Sequence, residues 1–176
     1  ETDVWFDITT LLVPGQNDAD EWLDAETAWI AAELGTVVPL HFSAFHPSYK
    51  MMGVPSTPAA TLARARRIAL GNGLRYVYTG NVHDTEGGTT TCPGCGAAVV
   101  VRDWYTIRRY LLEEHGRCRR GGRQIPGVYD GPAGQLGRAP LPVSIANVRR
   151  VARVWDRAAG RWPGPPHSTA PPPAGP

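Results

Sequence analysis

The sequence predicts an α/β protein: a parallel-sheet segment, then a small cysteine-bearing β module, then a Pro/Gly-rich tail. Three observations carry this expectation. β-rich runs alternate with helix-forming stretches over residues 1–80. A glycine-flanked clip, Cys92-Pro93-Gly94-Cys95-Gly96, opens a stretch of short strands. From Gly131 onward Pro and Gly dominate, a composition too poor in apolar side chains to pack.

The first run, residues 4–13, is β-branched and aromatic with few breaks, as expected of a parallel strand covered on both faces. Pro14-Gly15 stops it. Residues 16–35 read as a helix. Asp18 and Glu21 have capping-box spacing, and Leu23, Ile30 and Leu34 share a face with Trp22 and Trp29 beside them. Gly35 stands where a helix-ending glycine belongs. A second strand covers 37–45, followed by a loop. Thr57-Pro58 opens a second helix whose buried face is Leu62, Ala65, Ile68 and Ala69, with Gly71 and Gly73 at its end. The third strand is 74–80. This order implies parallel strands joined by right-handed crossovers. Two complete units are too few to close a barrel, so they read as the final portion of a larger sheet. The chain opens without Met and enters a strand almost at once, as if met mid-domain. The expected division is 1–87 for the β/α part, 88–130 for a zinc-ribbon-like module and 131–176 for a disordered tail. A short helix is expected at 144–157 through Val148, Val151 and Trp155.

Composition narrows the function classes. There is no run of about 18 apolar residues, so no membrane span is expected. The first residues have neither a basic nor an apolar leader segment. Three clustered cysteines are too few for a disulfide framework and favour metal or redox chemistry in a reducing, cytoplasmic compartment. The net charge of +2 hides an asymmetry: residues 1–101 carry 5 Lys+Arg and 11 Asp+Glu, residues 102–176 carry 13 and 5. A basic second half could touch nucleic acid, although an Arg-rich solvated surface accounts for it as well.

Candidate chemistry falls in two places. Side chains alternate along strands, so Asp7, Thr9 and Leu11 share one face, as do His41 and Ser43. An acid within an apolar strand is costly to bury alone, which draws Asp7 toward a hydrogen-bonding role. His46 falls just past the second strand, where ligands of parallel α/β sheets collect. His41 is either a core histidine or a second contact. Pro14-Gly15 turns the chain, Asn17-Asp18 caps the next helix, and free N–H groups at that helix start could hold an anion. Asn81 and His83 are ligand candidates or parts of a plain linker.

The second place is the cysteine clip. Zinc takes four tetrahedral ligands in structural sites. Cys92, Cys95 and Cys118 supply three, and Gly121 stands where the second cysteine of a returning Cys-x-x-Cys would fall. His115, three residues before Cys118, is the candidate fourth ligand; water, an outside ligand and loss of the site are the alternatives. A redox pair is disfavoured, because Cys92–Cys95 leads into a strand and not a helix.

Four segments, "DITTLLVPGQND", "PLHFSAFHPSYKM", "STPAATLARARRIALGNGLRYVYTGNV" and "TCPGCG…GRC…GG…IPG", occur in an order that resembles the C-terminal part of radical S-adenosylmethionine enzymes. The resemblance is to the AmmeMemoRadiSam-system type, related to pyruvate formate-lyase activating enzymes, and covers about residues 3–128. It implies the last β/α units of a partial TIM-type barrel. It also implies S-adenosylmethionine and a [4Fe–4S] cluster as cofactors, a 5′-deoxyadenosyl radical as the reactive species, an unknown substrate that could be a protein, and a Memo-like partner protein. By motif position the S-adenosylmethionine contacts fall at Thr9, with Asp7 on the same face, and at His46. Two departures stand out. The family's Cys-x-x-x-Cys-x-x-Cys is absent, so the chain should be inactive alone. The family's ribbon ends Cys-x-x-Cys-Gly where this one has Cys118-Arg119-Arg120-Gly121-Gly122.

The rival expectation is a non-catalytic zinc-ribbon module contacting nucleic acid or protein, with Trp104, Tyr105 and Tyr110 as stacking platforms among the arginines. Strand alternation over 1–80 argues against it and makes nucleic acid a weaker expectation. A truncated family member kept as a non-catalytic partner is the third.

Overall fold

A computed structural model describes residues 5–129. The tail beyond 130 and the helix expected at 144–157 lie outside the described residues. β1 (Ile8–Leu12), β2 (Leu40–Ala44) and β3 (Val77–Gly80) form a parallel sheet in sequential order. α1 (Asp20–Trp29), prolonged by a π-helical turn at Ile30–Leu34, connects β1 to β2, and α2 (Ala59–Gly71) connects β2 to β3.

Both helices cover the same face. Leu23 and Ile30 from the first crossover and Leu62, Ala65 and Ala69 from α2 share one core with Leu12, Leu40, Phe42, Ala44 and Val77. Truncating the fully buried Phe42 to Ala would cost about 3–5 kcal/mol at such a position. The other face is bare along β1, where Thr9 and Leu11 are exposed. That corrects the expectation of a strand covered on both sides: no described helix crosses to that side.

Three local readings also change. Asp18 is not the cap of α1; Ala19 holds that position without a side-chain bond. The turn at Pro14-Gly15 swings the Gly15 N–H onto Asp18 Oδ1 at 2.7 Å, so Asp18 closes the turn. Thr57 likewise does not cap α2. Its buried hydroxyl accepts from Phe45 N–H at 3.0 Å and donates to the Leu12 carbonyl at 2.5 Å, tying the ends of β1 and β2 together. Leu34 is exposed, because the π turn, closed by Gly35 N–H on the Ile30 carbonyl, adds a residue and rotates it off the buried stripe.

β4 (Thr90–Thr91), β5 (Ala98–Asp103) and β6 (Thr106–Tyr110) form a separate antiparallel sheet in the order 4-5-6. Its core gathers Cys92, Val99, Val100, Leu112, Cys118 and Ile125, and also Tyr76 from just before β3. The sheets therefore separate after β3, but the small one completes its core with a residue from the segment that leads into β3. Among the described residues no helix is long and apolar enough to cross a membrane.

Candidate metal centre and the open sheet face

The two cysteine-bearing turns have the same backbone. In the first, Gly96 N–H returns to the Cys92 carbonyl at 2.9 Å and Cys92 N–H to Ala97 at 2.8 Å. In the second, Gly122 N–H returns to the Cys118 carbonyl at 2.8 Å and Cys118 N–H to Arg123 at 2.8 Å. Gly96 and Gly122 close them with φ of 69° and 65°, a conformation that glycine adopts without steric cost. Gly121 thus occupies in the second turn the place Cys95 occupies in the first.

This pairing brings the sulfurs of Cys92, Cys95 and Cys118 within 4.8 Å of one another. Cys95 and Cys118 are 3.8 Å apart. A tetrahedral ion with metal–sulfur bonds of about 2.3 Å sets its sulfurs about 3.8 Å apart, so three thiolates stand where a single ion such as zinc needs them. Thiolates bound to different irons of a [4Fe–4S] cubane stand further apart than those sharing one ion, so this group does not fit that cluster. The thiols are free of disulfides; Cys92 and Cys118 are buried and Cys95 is exposed.

Local electrostatics separate the thiols. Cys118 is drawn below its ordinary value, chiefly by the Gly121 N–H at 3.4 Å, with Arg120 N–H and the two other thiols adding to it against burial. At Cys95 a bond from the Ala97 N–H pulls down, but partial desolvation of the sulfur and the neighbouring Cys92 and Cys118 thiols outweigh it and leave the thiol raised.

His115 does not join the group. It lies in a short 3-10 turn (Glu114–Gly116) with φ of 59°, exposed, and among the described residues the three cysteines alone make up the cluster. The expectation of a Cys3His set is corrected: the turn that fixes Cys118 by pairing it with Leu112 leaves the His115 ring in solvent.

The residues proposed for the sheet separate into two groups. Register places Thr9, His41 and Tyr78 side by side across the three strands on the face away from the helices. His41 stacks on Tyr78, ring centroids 4.9 Å apart. Arg102 of β5 covers Tyr78 at 5.8 Å and donates to Thr90 Oγ1 at 2.9 Å, while Tyr78 Oη meets the same hydroxyl at 2.9 Å. Asp7, His41, Tyr78 and Arg102 line a cavity of about 610 Å³ between the open face and the small sheet. Burial, seconded by Arg102 and opposed by Asp7, holds His41 below the ordinary imidazole value. Tyr129, at the same cavity, is pushed up to about 12 by burial and by surrounding tyrosines.

His46 lies apart from this cavity, at the C-terminal edge of the strands. Its Nε2–H donates to the Asn81 carbonyl at 3.1 Å, and Nδ1 faces Ser56 Oγ at 3.3 Å. Asn81, with φ of 59°, donates to the Ala44 carbonyl at 3.3 Å. Asn17 binds both Leu11 and Val13 backbone groups, so short polar side chains lace this edge. His83 packs edge-on against Trp104, centroids 5.0 Å apart. The sequence alone does not single out Tyr78 or Arg102. Strand alternation would have placed Tyr78 beside His41 once the register was known; no local signal points to Arg102.

No protein-family model matches this chain, and no solved structure matches it. It is similar to an uncharacterized protein of Methanocaldococcus jannaschii, 43% identical over 123 residues that make up 69% of this chain. The chain spans 37% of that relative's length.

Proposed function

We propose that this chain is part of a radical S-adenosylmethionine enzyme of the AmmeMemoRadiSam-system type, contributing β/α units of a partial TIM-type barrel and an appended zinc ribbon. The observation that carries the reading is the sheet: parallel β-α-β-α-β with helices on one face, and a polar row, Thr9, His41 and Tyr78, on the other. In a barrel that inner face meets the ligand. The four-segment sequence resemblance supports it independently.

The [4Fe–4S] cluster, which would supply the electron for reductive cleavage of S-adenosylmethionine, finds no ligands in this chain, because all three cysteines belong to the ribbon. The chain's own residues bind and orient. Thr9 and Asp7 lie on the open face, and His46, held by Asn81 and Ser56, presents an imidazole at the strand ends. A protein substrate and a Memo-like partner belong to the same proposal.

The test expresses the reading frame with whatever precedes Glu1, loads it anaerobically with iron and sulfide, and assays 5′-deoxyadenosine formed from S-adenosylmethionine under a reductant. Formation of 5′-deoxyadenosine, reduced by His46→Ala, is expected. A frame without a Cys-x-x-x-Cys-x-x-Cys, or a loaded protein that leaves S-adenosylmethionine intact, contradicts the reading.

One observation favours a second reading, the ribbon as a nucleic-acid contact. Trp104 and Tyr105, 45% and 66% exposed, crown the β5–β6 hairpin beside exposed Arg108 and Arg109. A salt-sensitive mobility shift with single-stranded nucleic acid, lost in Trp104→Ala, would favour it.

A further inference from the structure

The second cysteine turn keeps every backbone feature of a metal-binding turn and lacks one ligand. The place of that ligand is not sealed. Gly121 is exposed, Cys95 is exposed, and no other Cys, His, Asp or Glu among the described residues joins the three thiols. A Cβ built on Gly121 would lie 2.9 Å from both Cβ and Sγ of Cys95, so a side chain here would have to displace Cys95, and with glycine the second turn sends no ligand toward the three sulfurs. Structural zinc sites close all four positions with protein ligands, whereas sites that exchange ligands leave one open.

Charge decides which ligand suits the opening. Three thiolates around a divalent ion leave one net negative charge, and a fourth thiolate adds another. The segment around Cys118 meets this with Arg117, Arg119, Arg120 and Arg123 against Glu113 and Glu114. Arg117 Nη1 donates to the Gly122 carbonyl at 3.0 Å. The Arg123 side chain lies along the first turn, its Cδ 3.1 Å from where a Cβ on Gly94 would be. Both guanidinium-bearing chains are thus anchored on the two turns themselves. We infer that the three-cysteine group is an open metal centre whose fourth position, left by Gly121, takes the thiolate of a small exogenous thiol.

This inference rests on the metal reading of the ribbon and not on the radical chemistry. Its balance is simple: the thiol loses its proton to solvent as sulfur displaces water from the ion, and no oxidant is involved. The test loads the purified full chain with Co²⁺ in thiol-free buffer and titrates 2-mercaptoethanol while recording the thiolate-to-cobalt charge-transfer band. The expected result is one cobalt per chain and a saturable rise of the band by about a third, one thiolate added to three. The same titration of Gly121→Cys should give no rise: its Cβ forces Cys95 to shift, as Gly121→Ala does, but its thiolate then fills the fourth position. His115→Ala should respond like the parent, which keeps the test open even if Gly121→Cys does not fold. A band indifferent to added thiol in the parent overturns the inference and leaves metal binding standing. Failure to take up cobalt overturns both.

Discussion

The turns at residues 92–97 and 118–123 share hydrogen bonds, glycine conformation and a leading buried cysteine, yet one carries two thiols and the other one. The difference teaches that a turn of this shape keeps its backbone whether it presents two thiols or one. N–H groups, glycines and a packed first cysteine suffice to shape it. What the missing side chain alters is coordination number and access, and these are the properties that decide whether a metal centre is inert or exchanges ligands.

The largest expected effect tests whether the two leading cysteines are equivalent. Cys92→Ser and Cys118→Ser each remove a buried ligand, and zinc affinity should fall by more than the roughly 100-fold that loss of a supporting partner costs. Competition with a chromogenic chelator measures it. A small loss at Cys118 alone would mean the second turn holds no metal.

Next is the crowding at Gly121. Gly121→Ala places a methyl 2.9 Å from the Cys95 sulfur, and the shift this demands should cost about 1–3 kcal/mol, read as weaker zinc binding and a lower unfolding midpoint. The same substitution at Gly96 or Gly122 meets no atom within 4 Å and strains only the backbone. Each should cost about 1 kcal/mol by chemical denaturation, and the two should match. Unequal losses would break the structural equivalence of the turns.

A smaller effect lies at His41. Its folded value is below its unfolded one, so the unfolded chain binds more protons, and stability falls as pH drops below about 6.5. His41→Gln should flatten that slope in denaturation curves taken between neutral and mildly acidic pH. The least effect is expected at His115→Ala, which should leave zinc stoichiometry unchanged.

Much of the sheet was legible in the sequence because its signals are local. Alternating runs, Pro14-Gly15 and the apolar stripe of α2 act over a few residues, and Leu62, Ala65 and Ala69 are buried as their spacing requires. Helix starts were less legible: Asp18 and Thr57 make their bonds to a turn and to neighbouring strands, competitors that spacing does not reveal. The glycine place in the second cysteine turn followed from counting, since the motif has a fixed length. His115 misled because sequence distance from Cys118 says nothing of ring direction. The cavity under Arg102 depends on how one sheet lies on another, which no local pattern records.

The central claim is that one ion is held by three protein thiolates with an open fourth position. Zinc K-edge X-ray absorption on the zinc-loaded chain in thiol-free buffer tests it most directly. The account predicts three sulfur neighbours at about 2.3 Å and one water oxygen at about 2.0–2.2 Å. Four sulfurs, or a site with fewer than three, would contradict it.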